Sequence, residues 1–344
     1  MKVGLVGYQG SGKSALFEWL TGCKPDVSGS RSAHGATTAI PEPRLEQLRQ
    51  LYQPKKVTPA SLEIVDTQGL ARTHQGNAAR LATIREAGCL VLVIGAFEVE
   101  NPADDWQSFE EDLLLADMEV VSGRIERIQA SLKKPIPHQE REQLVRELKV
   151  LEELLEAMDQ GRPIRESGMS EEQLKFTRAF RLLTEKPRMI VFNTRESSEV
   201  PPEWVAGLPP GIPAVAIPVA LELELEGMKP EERAEFEGLL SENRVTRDQL
   251  LRLIMDAAGQ MLFFTVNARE VRSWLLRKGG TALEAAGLIH SDMARGFIRA
   301  EVMRVQDLVR LGGEREVRAQ HLVRQESKDY VIHDDDVLLI RFSS

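Results

Sequence analysis

Five short runs rich in Val, Ile and Leu mark the first two thirds of the chain, at Val3–Gly7, Leu62–Asp66, Leu90–Gly95, Met189–Asn193 and Ala214–Val219. Several are separated by helical-looking sequence, and so continuous an apolar content predicts strands buried on both faces of a mostly parallel sheet. That is the signature of a doubly wound α/β domain. Between the third and fourth runs the period changes. Leu114, Met118, Val121, Ile125, Ile128 and Leu132 recur every three or four residues, and after Pro135 and Pro137 so do Leu144, Leu148, Leu151, Leu155 and Met158. Two such seams around a proline turn predict an antiparallel coiled-coil hairpin, residues 110–186, inserted into an α/β domain of residues 1–109 and 187–260. Beyond Asp248 the pattern predicts a helix over Leu250–Met261, strands at Phe263–Val266 and Val271–Leu276, and a strand-rich ending between Asp329 and Phe342. Residues 261–344 therefore read as a small α+β module.

A length of 344 residues suits two or three domains, and 42% hydrophobic with 28% charged residues suits a globular chain. The longest apolar run, Cys89 to Phe97, is too short for a bilayer, and the N-terminus enters a strand without a secretory signal, so a cytoplasmic protein with no membrane partner is expected. Two cysteines, Cys23 and Cys89, make neither a disulfide framework nor a zinc site and are expected to be buried, inert thiols. Charge is uneven. The hairpin stretch 110–160 carries 7 basic and 13 acidic side chains, which fits a solvated face or a protein-docking arm and disfavours nucleic acid there. Residues 261–344 are nearly balanced, with 13 basic and 12 acidic side chains. Within them Arg295, Arg299, Arg304 and Arg310 lie in a stretch, Arg277 to Arg324, of nine basic against six acidic residues. Phe297 sits between two of these arginines; the group reads either as a salt-bridged surface over a core phenylalanine or as a face for RNA phosphates and bases.

Chemistry enters at the end of the first strand. Gly7-Tyr-Gln-Gly-Ser-Gly-Lys13-Ser14 fits Gly-x-x-x-x-Gly-Lys-Ser between a strand and the helix Ala15–Leu20. Glycines let backbone N–H groups turn toward phosphates, and the helix N-terminus adds its positive end. Gly7, Gln9, Gly10, Ser11, Gly12, Lys13, Ser14 and Ala15 then form a nucleotide cradle, with Lys13 on the β- and γ-phosphates and the Ser14 hydroxyl on Mg²⁺. Asp66-Thr-Gln-Gly69 closes the second strand, where Asp66 would hold the metal and Gly69 would offer an N–H to the γ-phosphate. Asn193-Thr-Arg-Glu196 follows the fourth strand and suits a base-reading loop, with Asn193 tying it to the phosphate loop and Glu196 facing the purine edge. Guanine readers have Asp where Glu196 stands.

These residues, together with Pro41–Leu45, Ile84–Glu86, Pro102–Asp105, Leu115–Asp117, Pro230–Arg233, Phe263–Thr265, Glu270–Trp274, Ala285–Asp292, Arg295–Glu301 and Lys328–Val331, resemble the Obg-related P-loop proteins called YchF, or Obg-like ATPases. The resemblance spans nearly the whole chain. It implies a nucleotide domain, a coiled-coil insertion and a C-terminal TGS-type domain. It also implies ATP binding as good as or better than GTP binding, and ribosomes and translation factors as partners. There are departures. Ala15 replaces the family's Thr, Leu92 stands where a histidine serving hydrolysis is common, and Leu70 occupies the position of a water-orienting glutamine in Ras-like proteins. Gln68 and His74 are the nearby polar residues left to orient water, His74 being the assigned catalytic candidate. Thr37, Thr38 and Ser30 are the alternatives for the switch hydroxyl. Asp334-Asp335-Asp336 replaces a family Asp-Gly-Asp and loses a glycine suited to positive φ. The expected molecule is a slow P-loop ATPase/GTPase acting as a switch. A nucleotide-holding adaptor without turnover is the competing class, and loss of nucleotide binding conflicts with the intact loop.

Overall fold

The structure, a computed structural model, describes residues 1–25, 34–97, 101–164, 168–196, 198–237 and 244–343. It divides into two compact units, Lys2–Ala36 with Ile64–Val245, and Met1 with Thr37–Glu63 and Thr246–Ser344.

The first unit is built on β1 (Lys2–Val6), β5 (Cys89–Gly95), β6 (Arg188–Asn193) and β7 (Ala214–Ile217), paired in parallel. Every residue of β5 and β6 is buried, as the apolar runs Cys89–Ile94 and Met189–Phe192 require, with Arg188 and Asn193 buried at the ends of β6. With β2 (His34–Ala39) and β4 (Ser61–Asp66), the strands in which the chain crosses between units, the sheet order is β2-β4-β1-β5-β6-β7. Strand order reverses at β1, so the loop after β1 opens at the switch point where doubly wound sheets bind ligands. Helix α1 (Lys13–Thr21) follows that loop and packs on α7 (Val219–Gly227), which precedes α8 (Pro230–Glu237). Helix α3 (Asn77–Ala82) packs on α4 (Pro102–Leu132). Asn101 caps α4 by accepting from the Ala103 N–H, with Pro102 in the first turn. Helix α5 (His138–Asp159) folds back on α4, and α6 (Glu171–Leu174) follows. All the predicted seam residues join one cluster of Val121, Ile125, Ile128, Leu151, Leu154 and Met158 with partly buried neighbours.

The second unit is a six-stranded sheet in the order β11-β10-β12-β8-β9-β3, from β3 (Lys56–Thr58), β8 (Gln260–Val266), β9 (Glu270–Arg277), β10 (Phe297–Arg304), β11 (Arg324–Glu326) and β12 (Asp336–Phe342). Around it lie α2 (Pro43–Tyr52), α9 (Arg247–Ala257), α10 (Ala282–Ile289), α11 (Ser291–Arg295), α12 (Val305–Leu311) and α13 (Glu314–Ala319). Ala282, Ala285 and Ala286 bring α10 close over Phe263, Val302 and Leu338.

Several expectations change. The boundary at 110 falls inside the continuous helix α4, whose Trp106, Phe109, Leu113 and Ala116 are buried in the α/β core. Residues Thr37–Glu63 pack with the C-terminal residues rather than with 1–109, because β3 pairs in parallel with β9. The helix expected to run to Met261 ends at Ala257; Gly259 turns the chain at φ 65 and Met261 lies in β8. Cys89 is buried, its thiol pushed up to about 12 by burial, whereas Cys23 is exposed. None of Asp334, Asp335 and Asp336 takes positive φ, and Asp336 is locked instead by the Tyr330 hydroxyl at 2.9 Å and Arg324 at 3.1 Å. Among the described residues no helix is long and apolar enough to cross a membrane.

Candidate functional site

The loop after β1 owes its shape to its glycines. Gly7 and Gly12 hold φ of 149° and 92°, and a Cβ would lie 2.3 Å from the Val93 carbonyl oxygen at the first and 2.1 Å from Asn193 Nδ2 at the second. Gly10, at φ 82°, is exposed with Gln9 at the loop's outer edge. Lys13 opens α1 buried, its ammonium donating to the Tyr8 carbonyl at 2.9 Å. Burial pushes that ammonium down to about 8, against the opposing pull of the Asp66 carboxylate. The Ser11 hydroxyl is buried and meets no partner. Ser14 is exposed at the helix start and Ala15 half-buried behind it.

The Asp66 turn comes to the same place. Ser14 Oγ donates to Asp66 Oδ2 at 2.6 Å, while Asp66 Oδ1 is buried with no partner. A buried carboxylate oxygen with an idle lone pair beside a serine hydroxyl suits Mg²⁺, which takes one or two protein oxygens and completes its shell with water and phosphate. Among the described residues no group of three or more His, Cys, Asp or Glu is placed to hold a metal, so protein side chains alone do not make a cage. Gly69 lies against the loop so closely that a Cβ there would meet Gln9 Cγ at 2.9 Å and Gln9 Cα at 3.0 Å. Leu70 is bonded through its backbone on both sides, its N–H to the Gly7 carbonyl at 2.9 Å and its carbonyl to the Gln9 N–H at 3.0 Å.

From the far strand, Asn193 reaches the loop. Its Nδ2 donates to the Ser11 carbonyl at 3.1 Å and its Oδ1 accepts from the Val219 N–H at 3.3 Å, joining phosphate loop, β6 and the start of α7. Arg195 and Glu196 are exposed beyond the strand end.

Leu70 and Leu92 are both buried at 2% exposure, and Gln68 is exposed. His74 stands on the α4 side, its Nδ1 2.9 Å from Asp112 Oδ1. Thr38 is buried and accepts from Arg247 at 3.4 Å, Thr37 is exposed, and Ser30 lies outside the described residues. Missed in the sequence were Tyr8, Asn77 and Asp112, whose side chains meet behind the loop. The signal was present: Asp105 and Asp112, seven residues apart, fall on the face of α4 that carries Trp106, Phe109 and Leu113, and an acid on an apolar face needs a donor.

Residues 261–343 match the C-terminal YchF GTPase family, described as a protein of unknown function, and residues 2–134 match a family described as a 50S ribosome-binding GTPase. The chain is 32% identical over 376 residues to the ribosome-binding ATPase YchF of Bacillus subtilis (strain 168), covering 100% of this chain and 99% of that protein. It is 30% identical over 371 residues to Obg-like ATPase 1 of Oryza sativa subsp. japonica, covering 100% of this chain and 92% of the other. Among solved structures, the YchF GTPase of Schizosaccharomyces pombe superposes with a TM-score of 0.82 at 27% identity, over 99% of this chain and 97% of that one.

Proposed function

The chain belongs to the YchF family of Obg-like ATPases, and from that premise we propose that it binds a purine nucleoside triphosphate on the Gly7–Ser14 loop, hydrolyses it slowly with Mg²⁺, and acts as a nucleotide switch on the ribosome. The observation that carries the reading is the loop itself: two glycines whose Cβ space is taken, and a buried lysine at the N-terminus of a helix. Gly10 and Gly12 would turn N–H groups to the phosphates, the Ser11 N–H being held by the Tyr8 carbonyl at 3.3 Å; Lys13 would neutralise the phosphate charge, and Ser14 and Asp66 would hold the metal. Mg²⁺ supplies charge neutralisation on the phosphate oxygens. Catalysis is then positioning and electrostatics. With Leu70 and Leu92 both apolar, a single-turnover assay with excess protein is expected to give roughly 10⁻⁴ to 10⁻² s⁻¹, the range of unstimulated switch proteins. Because His74 Nδ1 is taken up by Asp112, His74→Ala is expected to slow it by less than about tenfold; a loss of about 10² or more would make His74 the group that orients or deprotonates water. Turnover of many per second contradicts the switch, and no turnover favours the holding adaptor, which the same two leucines support.

Base choice follows from Glu196. One methylene longer than Asp and exposed after β6, it would carry its carboxylate away from the position in which an Asp pairs with guanine N1–H and N2–H₂. ATP is therefore expected to bind at least as tightly as GTP, and Glu196→Asp to move the ratio toward GTP by about tenfold, one hydrogen bond's worth of discrimination. A strong GTP preference in the parent chain rules this out.

Ribosome association is assigned to the C-terminal unit, with the acidic α4–α5 hairpin as a protein-docking arm. Arg295 and Arg310 are each paired one turn away, with Asp292 and Asp307, whereas Arg299 and Arg304 stand exposed on β10. Reversing Arg299 and Arg304 to Glu is expected to cost at least about tenfold in ribosome affinity and to flatten its salt dependence. Sedimentation with ribosomes across a salt series measures both; unchanged binding places the contact elsewhere.

A further inference from the structure

Asp112, on α4, is a carboxylate at 2% exposure that the nucleotide chemistry does not use. Its Oδ2 accepts from the Tyr8 hydroxyl at 3.1 Å and from Asn77 Nδ2 at 2.9 Å, and its Oδ1 faces His74 Nδ1 at 2.9 Å. Asn77 meanwhile grips Ala71 from both sides, accepting from its N–H at 2.8 Å and donating to its carbonyl at 2.9 Å. Two turns earlier on the same helix, Asp105 pairs with Arg72, whose guanidinium lies 5.2 Å from the centre of the Tyr8 ring. His74 holds φ 60°, a conformation residues other than glycine seldom keep without a fixed partner. One face of α4 thus binds both the phosphate loop, through Tyr8, and the segment behind the Asp66–Gly69 turn.

Tyr8 is in contact with the chemistry at its other end. Its carbonyl takes the Lys13 ammonium in this structure. Phosphates competing for that ammonium would take one of the carbonyl's two donors, leaving the Ser11 N–H at 3.3 Å, and the same residue's hydroxyl ends on Asp112. From Asp112, α4 runs on to Leu132, about 30 Å at 1.5 Å per residue, into the helical arm.

We propose that Asp112 is a positioning residue of the nucleotide site, setting the phosphate loop through Tyr8 and the following segment through Asn77 and His74, so that α4 transmits the occupancy of the loop to the arm. The proposal rests on triphosphate binding at this loop. The test is hydrogen–deuterium exchange of the full chain with and without a non-hydrolysable ATP analogue and Mg²⁺, with calorimetry on the same samples. In the parent chain the analogue is expected to slow exchange by about fivefold or more, the low end of ordinary coupling, in peptides covering residues 70–80 and 105–119. Asp112→Asn is expected to bind the analogue with near-parental affinity and to lose the change at 105–119. Its kcat should fall with KM nearly unmoved, which loss of a mere structural anchor would not produce. Tyr8→Phe, which removes one hydroxyl, should lose the same change, and it decides the matter if Asp112→Asn does not fold. Calorimetric binding with no exchange change at 105–119 in the parent, or with the change kept in both variants, overturns the coupling alone. No calorimetric binding in the parent overturns the nucleotide reading and this inference together.

Discussion

Lys13→Ala is expected to lower triphosphate affinity by at least about a hundredfold, close to 3 kcal/mol, the scale on which removing one partner of a buried charge pair acts. Lys13 is 6% exposed and its ammonium is held down to about 8 by burial, so the empty site keeps a cation it poorly tolerates. Anionic phosphates reverse that imbalance and raise the ammonium's affinity for its proton. At pH 8 the free site is about half protonated, and binding should take up about half a proton, read as a dependence of calorimetric enthalpy on the buffer's ionisation heat. Affinity should fall as the pH rises above about 8. The folding sign is opposite in sense: because the folded value lies below the unfolded one, the burial cost is full below about pH 8 and fades as pH rises toward 10.5. Lys13→Ala should therefore melt no lower than the parent without nucleotide at neutral pH, while Lys133→Ala, on the exposed turn after α4, changes neither property. Equal effects of the two substitutions would remove Lys13 from the site.

Gly12→Ala is expected to cost about 2–5 kcal/mol of stability and to abolish nucleotide binding. A left-handed backbone costs an L-residue about 1–2 kcal/mol, and at Gly12 the new methyl would lie 2.1 Å from Asn193 Nδ2. Asn193 must then leave the Ser11 carbonyl, which leaves two buried polar groups unpaired and adds about 1–3 kcal/mol. Gly22 supplies the control. It holds φ 70° with nothing within 4 Å, so Gly22→Ala carries only the backbone term. Chemical denaturation of both variants separates the two contributions. A Gly12→Ala protein as stable as Gly22→Ala would mean that Asn193 is not wedged against the loop.

The parts of the fold that were legible are those where one physical demand dominates. β5 and β6 announce themselves because burial on both faces leaves no polar position within Cys89–Ile94 or Met189–Phe192, and the α4–α5 seams because a helix pair repeats its contacts every three or four residues. The loop was legible because its glycines are fixed by contacts only hydrogen atoms fit. By contrast β2, His34–Ala39, is polar and β3 three residues long, so neither has a periodicity to read, and with them went the pairing of β3 with β9 that draws Thr37–Glu63 into the C-terminal unit. Met261 reads as helical because it continues the three-to-four-residue apolar spacing of α9 through Leu250, Ile254 and Ala258, although Gly259 and Gln260 stand between. The site divided in the same way. Lys13, Ser14, Asp66 and Asn193 converge as their motifs imply, whereas His74 is drawn to Asp112, a long-range partner that local sequence does not specify.

Whether the Gly7–Ser14 loop is a working triphosphate site is decided by calorimetric titration of the full chain with a non-hydrolysable ATP analogue, with and without Mg²⁺. One analogue is expected to bind per chain, tightened by Mg²⁺, lost in Lys13→Ala, and at least as strong as the GTP counterpart. Absence of binding by either nucleotide at millimolar concentration, or binding that survives Lys13→Ala unchanged, would contradict it.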